Sequence, residues 1–152
     1  MYRLLLLFSL VFIFCASQTR IQNPEQLNYQ QVYEVTLTKD VIYDKALEWM
    51  ARTYGSSKEV IELQDKELGK IIGKGITQIK YPLATIPCEY TIIVEAKDNK
   101  FRVTFETFIV TYLSGERRLI MYEQNWTQIQ PELQKIAQSL YTFISTEKEE
   151  SW

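Results

Sequence analysis

Glu89-Tyr90-Thr91-Ile92-Ile93-Val94-Glu95-Ala96-Lys97 and Lys100-Phe101-Arg102-Val103-Thr104-Phe105-Glu106-Thr107-Phe108-Ile109-Val110 are two runs rich in β-branched and aromatic residues. They are separated by Asp98-Asn99, a two-residue connection whose residues tolerate positive φ, so the pair is read as a β-hairpin. In the second run Phe101, Val103 and Phe105 alternate with Arg102, Thr104 and Glu106. A period of two with this contrast means that one face of the hairpin is buried. That face needs a covering layer.

Upstream, Gly69–Tyr81 reads as a longer strand. Its odd positions are Ile71, Gly73, Gly75, Thr77, Ile79 and Tyr81, and its even positions are Lys70, Ile72, Lys74, Ile76, Gln78 and Lys80. Two glycines on one strand face let the sheet bend or a helix approach closely, and Trp49 is the side chain expected to fill the space. Glu59–Gln64 is a short strand before the turn Asp65-Lys66-Glu67, Pro82 and Pro87 bracket a connection, and Tyr33–Leu37 alternates as a half-buried strand. Two amphipathic stripes supply the cover. Ile42, Ala46, Trp49 and Met50 mark a helix over 39–53, with Thr38 placed to cap it, Asp40 in its first turn and Gly55-Ser56-Ser57 ending it. Leu133, Ile136, Ala137, Leu140 and Ile144 mark a second helix with Pro131 near its start, and Asn125-Trp126-Thr127 leads into it. Between them, Ser114-Gly115-Glu116 is a turn, and Leu119–Tyr122 is either a short added strand or a packed loop. The order β-α-β-β-β-β-α predicts an α+β fold: one curved antiparallel sheet with two helices on one face.

The N-terminus is of another kind. Arg3 precedes an apolar run, Leu4–Phe14, and the small residues Cys15-Ala16-Ser17 follow. Such a run makes about 16 Å of helix against the roughly 30 Å of a bilayer core, which fits a secretory signal peptide rather than a membrane span. Residues 1–17 are therefore read as an export signal cut after Ser17, 18–28 as a flexible lead-in, 29–147 as the single domain and 148–152 as a frayed tail. Lipid attachment at Cys15 is the lesser alternative, since the residue before it is bulky Phe14. Of the 17 basic residues Arg3 is removed with the signal, leaving 16 against 19 acidic ones. One cysteine, Cys88, then remains, so no intramolecular disulfide can form.

The 152 residues contain no histidine and only two cysteines, which removes most metal, haem and histidine-dependent catalytic chemistry. A net charge of -2 gives no electrostatic footprint for nucleic acid. Gly69-Lys70-Ile71-Ile72-Gly73-Lys74-Gly75 is not a phosphate loop: the glycine spacing is short, Gly75 stands where Ser or Thr is needed, and a strand follows. Asp40, Asp44 and Glu48 step along one helix face as solvated charges, and Cys88 has no histidine to activate it.

Ser56-Ser57-Lys58-Glu59-Val60-Ile61, then Asp65-Lys66-Glu67-Leu68-Gly69-Lys70-Ile71-Ile72-Gly73-Lys74-Gly75, with Ala46-Leu47-Glu48-Trp49 upstream, resembles an exported bacterial domain family of unknown function with a TBP-like fold. The resemblance covers roughly residues 30–112. It implies the curved sheet with two helices and an envelope address. It implies no catalytic residue or cofactor, and kinship of fold with a DNA binder does not imply DNA binding.

Two surfaces remain as candidates. Lys70, Ile72, Lys74, Ile76 and Lys80 share the sheet face away from the helices, a mixed basic and apolar surface suited to a small anionic ligand, an envelope protein or a second copy of the chain. Its plainer reading is a solvated face that discourages aggregation. Tyr112, Tyr122 and Trp126 gather in the irregular 112–127 segment, either lining a carbohydrate or peptide groove or clamping a loop onto the sheet. The expected role is a non-enzymatic binding or interaction module of the bacterial cell envelope. The alternatives are a hydrolase or isomerase working through Glu, Lys and Tyr without histidine, and a structural subunit that dimerises through the open sheet face.

Overall fold

A computed structural model describes residues 19–54 and 60–146. The proposed signal segment, the helix end at Gly55-Ser56-Ser57 and the tail after Thr146 lie outside the described residues. The hairpin at Asp98-Asn99 forms the middle of the sheet. Strands β4 (Ala84–Lys97) and β5 (Lys100–Thr111) meet across that turn, with Asn99 at φ 64°. β3 (Lys70–Tyr81) pairs along the other side of β4, and β2 (Ile61–Asp65) extends beyond it. β1 (Asn28–Glu34) and β6 (Arg117–Leu119) both lie on the outer side of β5, one on each half. All pairings are antiparallel and make one curved six-stranded sheet in the order β1-β5-β4-β3-β2. Helices α1 (Lys39–Tyr54) and α2 (Glu123–Ser145) pack against the sheet and against each other.

Alternation decides what is buried. Ile71 and Ile79 of β3, Ile92 and Val94 of β4, and Phe101, Val103 and Phe105 of β5 face the helices. Ile42, Ala46 and Met50 of α1 and Leu133, Ala137, Leu140 and Ile144 of α2 meet them. Midway along β5 the pairing with β4 shifts between Glu89 and Thr91, because Thr107 is one residue too many and stands at φ 55°. This bulge keeps both Phe105 and Phe108 buried although they are three residues apart. Polar groups tie the layers together. The Lys39 N–H at the start of α1 donates to Asp98 at 2.8 Å, so the hairpin turn caps the helix. Lys45 donates to the carbonyls of Ile144 and Thr146 at 2.9 and 2.7 Å, a cation on the C-terminus of α2.

Several boundaries differ from expectation, each for a physical reason. The sheet has a sixth strand, because Arg117–Leu119 pairs with the end of β5. β1 spans Asn28–Glu34 rather than Tyr33–Leu37, since its polar residues face outward at an edge where alternation carries little contrast. Pro87 lies within β4 rather than in a connection. It sits opposite Gln78 in a pair whose amides point away from β3, so its missing N–H costs that ladder nothing. α2 begins at Glu123, and Pro131 is inside it. Buried Trp126 and Ile129 hold the turns before the proline, and the Thr127 hydroxyl donates to the Glu123 carbonyl one turn back at 2.8 Å. Trp49 does not fill the space over the glycines either. A Cβ on Gly73 would lie 2.6 Å from Met50 Cε, and one on Gly75 would overlap the ring of Tyr90, its neighbour on β4. Trp49 instead donates to Ser139 at 3.2 Å and packs edge-on against Tyr54.

Candidate functional site

The face of the sheet opposite the helices carries Lys70, Ile72, Lys74, Ile76 and Lys80, as the parity of β3 requires. Register adds what sequence could not supply. Ile72 stands beside Ile93, while Tyr90 and Ile92 face the core. The basic residues are interleaved with acidic ones. Lys74 pairs with Glu62 at 2.5 Å, and Lys70 stands opposite Glu95, which binds Arg102 at 2.5 and 2.8 Å. Arg117 binds Glu89 at 2.7 Å. This is a mixed-sign surface of exposed ion pairs, each worth about 0–1 kcal/mol, and not a field of positive charge. Ile76 is its most exposed apolar residue, at 66%.

The second candidate cluster becomes a cavity. β3 and β4 turn over at Pro82-Leu83, β5 ends beside them, and Tyr122 immediately precedes α2. These three chain segments bring Tyr81, Tyr112 and Tyr122 around a groove of about 470 Å³, completed by Ala84, Ile86, Leu113, Ser114 and Gln124. A turn with Gly115 at φ 83° shapes one wall, its N–H donating to the Tyr112 carbonyl at 2.8 Å. Tyr81 donates its hydroxyl to Oδ1 of Asn125 at 3.1 Å. Asn125 is the buried polar side chain among the described residues, and its Nδ2 has no partner among them. Burial, and then the nearness of Tyr81 and Tyr122, pushes the Tyr112 phenol above its ordinary pKa. Leu113 lines the groove at 84% exposure. Trp126 does not join the other two aromatics. It is buried, with its ring 5.1 Å from that of Phe108.

Sequence reasoning missed Tyr81 and Leu113 because they belong to two different hairpin ends. It also missed a wider trough of about 910 Å³ between the helices, floored by Trp49 and Phe143. On its rim Arg52 pairs with Glu48 and lies 5.5 Å from the Phe143 ring centre. The helix carboxylates are solvated as expected, Asp44 pairing with Lys66 at 2.7 Å. Cys88 is fully buried, and burial pushes its thiol up to about 12. No group of three or more potential metal ligands occurs among the described residues, and no described helix is long and apolar enough to cross a membrane.

Comparison with known proteins accords with this architecture. The chain is similar in structure to a DUF4468 family protein from Bacteroides ovatus, with a TM-score of 0.65 and 13% identity over 90% of this chain and 95% of that one. It is also similar to a TBP-like protein from Parabacteroides distasonis, with a TM-score of 0.64 and 12% identity over 84% and 97% of the two chains. At such identities the likeness is one of fold. No curated protein matches the sequence. The family model described as a domain of unknown function (DUF4468) with TBP-like fold matches residues 29–111, from the first strand to the end of the fifth, and the chain belongs to that family.

Proposed function

We propose that this domain is a non-enzymatic binding module of the cell envelope and that its ligand is a neutral glycan seated in the tyrosine groove. The observation that carries the proposal is the convergence of Tyr81, Tyr112 and Tyr122 on one groove that also holds exposed Leu113. Flat rings with polar tips suit sugar faces and their hydroxyls, and Ser114 and Gln124 add neutral polar groups to the lining. A small anion on the open sheet face is less well supported, because carboxylates already partner Lys74, Arg102 and Arg117. The enzyme alternative needs a desolvated carboxylate or amine in a cleft. The Tyr54 and Tyr90 phenols bond each other at 3.1 Å at the edge of the core instead.

Calorimetric titration with neutral hexose and N-acetylhexosamine oligosaccharides tests the groove. Binding is expected, with Tyr112→Ala and Tyr122→Ala each weakening it about tenfold or more, the loss of about 1.4 kcal/mol of ring contact. Absence of binding by every sugar, or alanine variants that bind unchanged, would overturn the assignment. The envelope address rests on Arg3 and the apolar run Leu4–Phe14. N-terminal sequencing of the protein recovered from cells is expected to begin at Gln18, and retention of Met1 in an exported fraction would contradict it.

A further inference from the structure

The two outer edges of the sheet are built differently. On one side β2 is five residues long, with a bulge between Ile61 and Leu63, and it covers only Lys70–Gly73 of β3. Beyond it the exposed part of β3 carries Lys74 and Lys80, and the Gln128 carboxamide accepts the Lys80 N–H at 3.0 Å. Short, bulged, lysine-bearing edges are how sheets avoid pairing with other chains. On the other side β1 has none of these devices. Asn28-Tyr29-Gln30-Gln31-Val32-Tyr33-Glu34 pairs with Glu106 to Lys100 in unbroken register and carries no lysine and no proline. No described strand lies on its outer side, and Val32 is 50% exposed.

The direction of the unpaired groups follows from the ladder. The Val35 N–H points inward, donating to the Asn99 carbonyl at 3.0 Å. Antiparallel alternation then turns the N–H and C=O of Asn28, Gln30, Val32 and Glu34 outward. The outward carbonyl of Val32 is met by the Gln31 side chain at 3.5 Å.

We propose that this edge joins two copies of the chain, β1 against β1 in antiparallel sense across a two-fold axis at Gln31. Centring there uses the whole strand. Asn28 meets Glu34 of the second copy, Tyr29 meets Tyr33, Gln30 meets Val32, and Gln31 meets itself. The four outward residues of each copy exchange about eight N–H···O bonds. No like charges stand opposite each other, and each Tyr29 faces a Tyr33, a favourable cross-strand pair. Sliding by two residues in either direction leaves one end of each strand unpaired and breaks both tyrosine pairs. An edge that meets its own needs in this way and carries one charge, on Glu34, has little with which to select a different partner. The second copy is therefore the occupant, and the sheet runs continuously through both.

Sedimentation velocity of the chain as recovered from cells, over a concentration series, tests this. A dimer is expected. Gln31→Lys sets two like charges against each other on the axis and is expected to weaken the dimer about tenfold or more. Val32→Pro removes an outward N–H while leaving the β1–β5 ladder intact, since proline is tolerated where the amide faces solvent on an edge strand. It is expected to give a folded monomer, read by unchanged cooperative unfolding. If it does not fold, Gln31→Lys decides alone. A wild-type protein that stays monomeric throughout overturns the proposal. So does a dimer unmoved by Gln31→Lys but broken by Ile76→Lys, which would place the contact on the open sheet face.

Discussion

Gly75→Val is expected to lower stability by about 3 kcal/mol or more. A Cβ at this position overlaps the ring of Tyr90, directly across the β3–β4 ladder. Tyr90 has nowhere to retreat. It is 1% exposed, meets Phe105 edge-on at 5.5 Å and Phe108 at 6.5 Å, and shares a hydrogen bond with Tyr54. Forcing the ring aside adds the cost of overpacking to the loss of that buried hydrogen bond, about 1 kcal/mol by itself. Urea unfolding of wild type, Gly75→Val and the double variant with Tyr90→Ala measures it. The double variant should recover part of the loss, because removing the ring makes room for the valine methyls. A Gly75→Val protein within about 0.5 kcal/mol of wild type would show that the sheet can open there without penalty.

Raising the pH above about 9 should progressively destabilise the domain. Buried Cys88 and Tyr90 and half-buried Tyr54 hold their protons in the folded state. Burial raises the Cys88 thiol from its ordinary 9.0 to about 12, and it raises the Tyr54 and Tyr90 phenols above their ordinary 10.0. In the unfolded chain these groups ionise at their ordinary values, so above pH 9 the unfolded state binds fewer protons than the native one. Their contribution to stability is fully present below pH 9 and is lost as pH rises toward the folded values. At about 1.4 kcal/mol per unit, Cys88 accounts for no more than about 4 kcal/mol by pH 12, and the phenols add to it against a typical total of about 5–15 kcal/mol. The urea midpoint should therefore fall steadily between pH 9 and 11. Cys88→Ala and Tyr54→Phe should each flatten the slope, and a midpoint that stays level to pH 11 would contradict the assignment.

Much of this core was legible in the sequence. The alternation of Phe101, Val103 and Phe105 and the stripe from Leu133 to Ile144 reveal which side of each element is apolar, because side-chain direction depends on local backbone geometry alone. Asp98-Asn99 announced its own turn. Less legible was where elements stop. Pro131 looked like a helix start, yet Trp126 and Ile129, packed on the sheet, extend α2 upstream of it. A period of two puts Thr107 on the buried face and Phe108 on the open one, yet the bulge at Thr107 shifts the alternation so that Phe108 turns inward.

By itself, then, the sequence determined the class of fold, the buried faces and the absence of histidine chemistry, since these depend on composition and on short periods along the chain. The tertiary structure alone decided how distant segments meet. It placed Tyr81 beside Tyr112 and Tyr122 and sent Trp126 to the core. It also set Glu62, Glu89 and Glu95 among the basic residues of the open face, and left β1 without a described strand on its outer side. Each of these is a relation between residues that only strand order and register bring together, and no local pattern carries it.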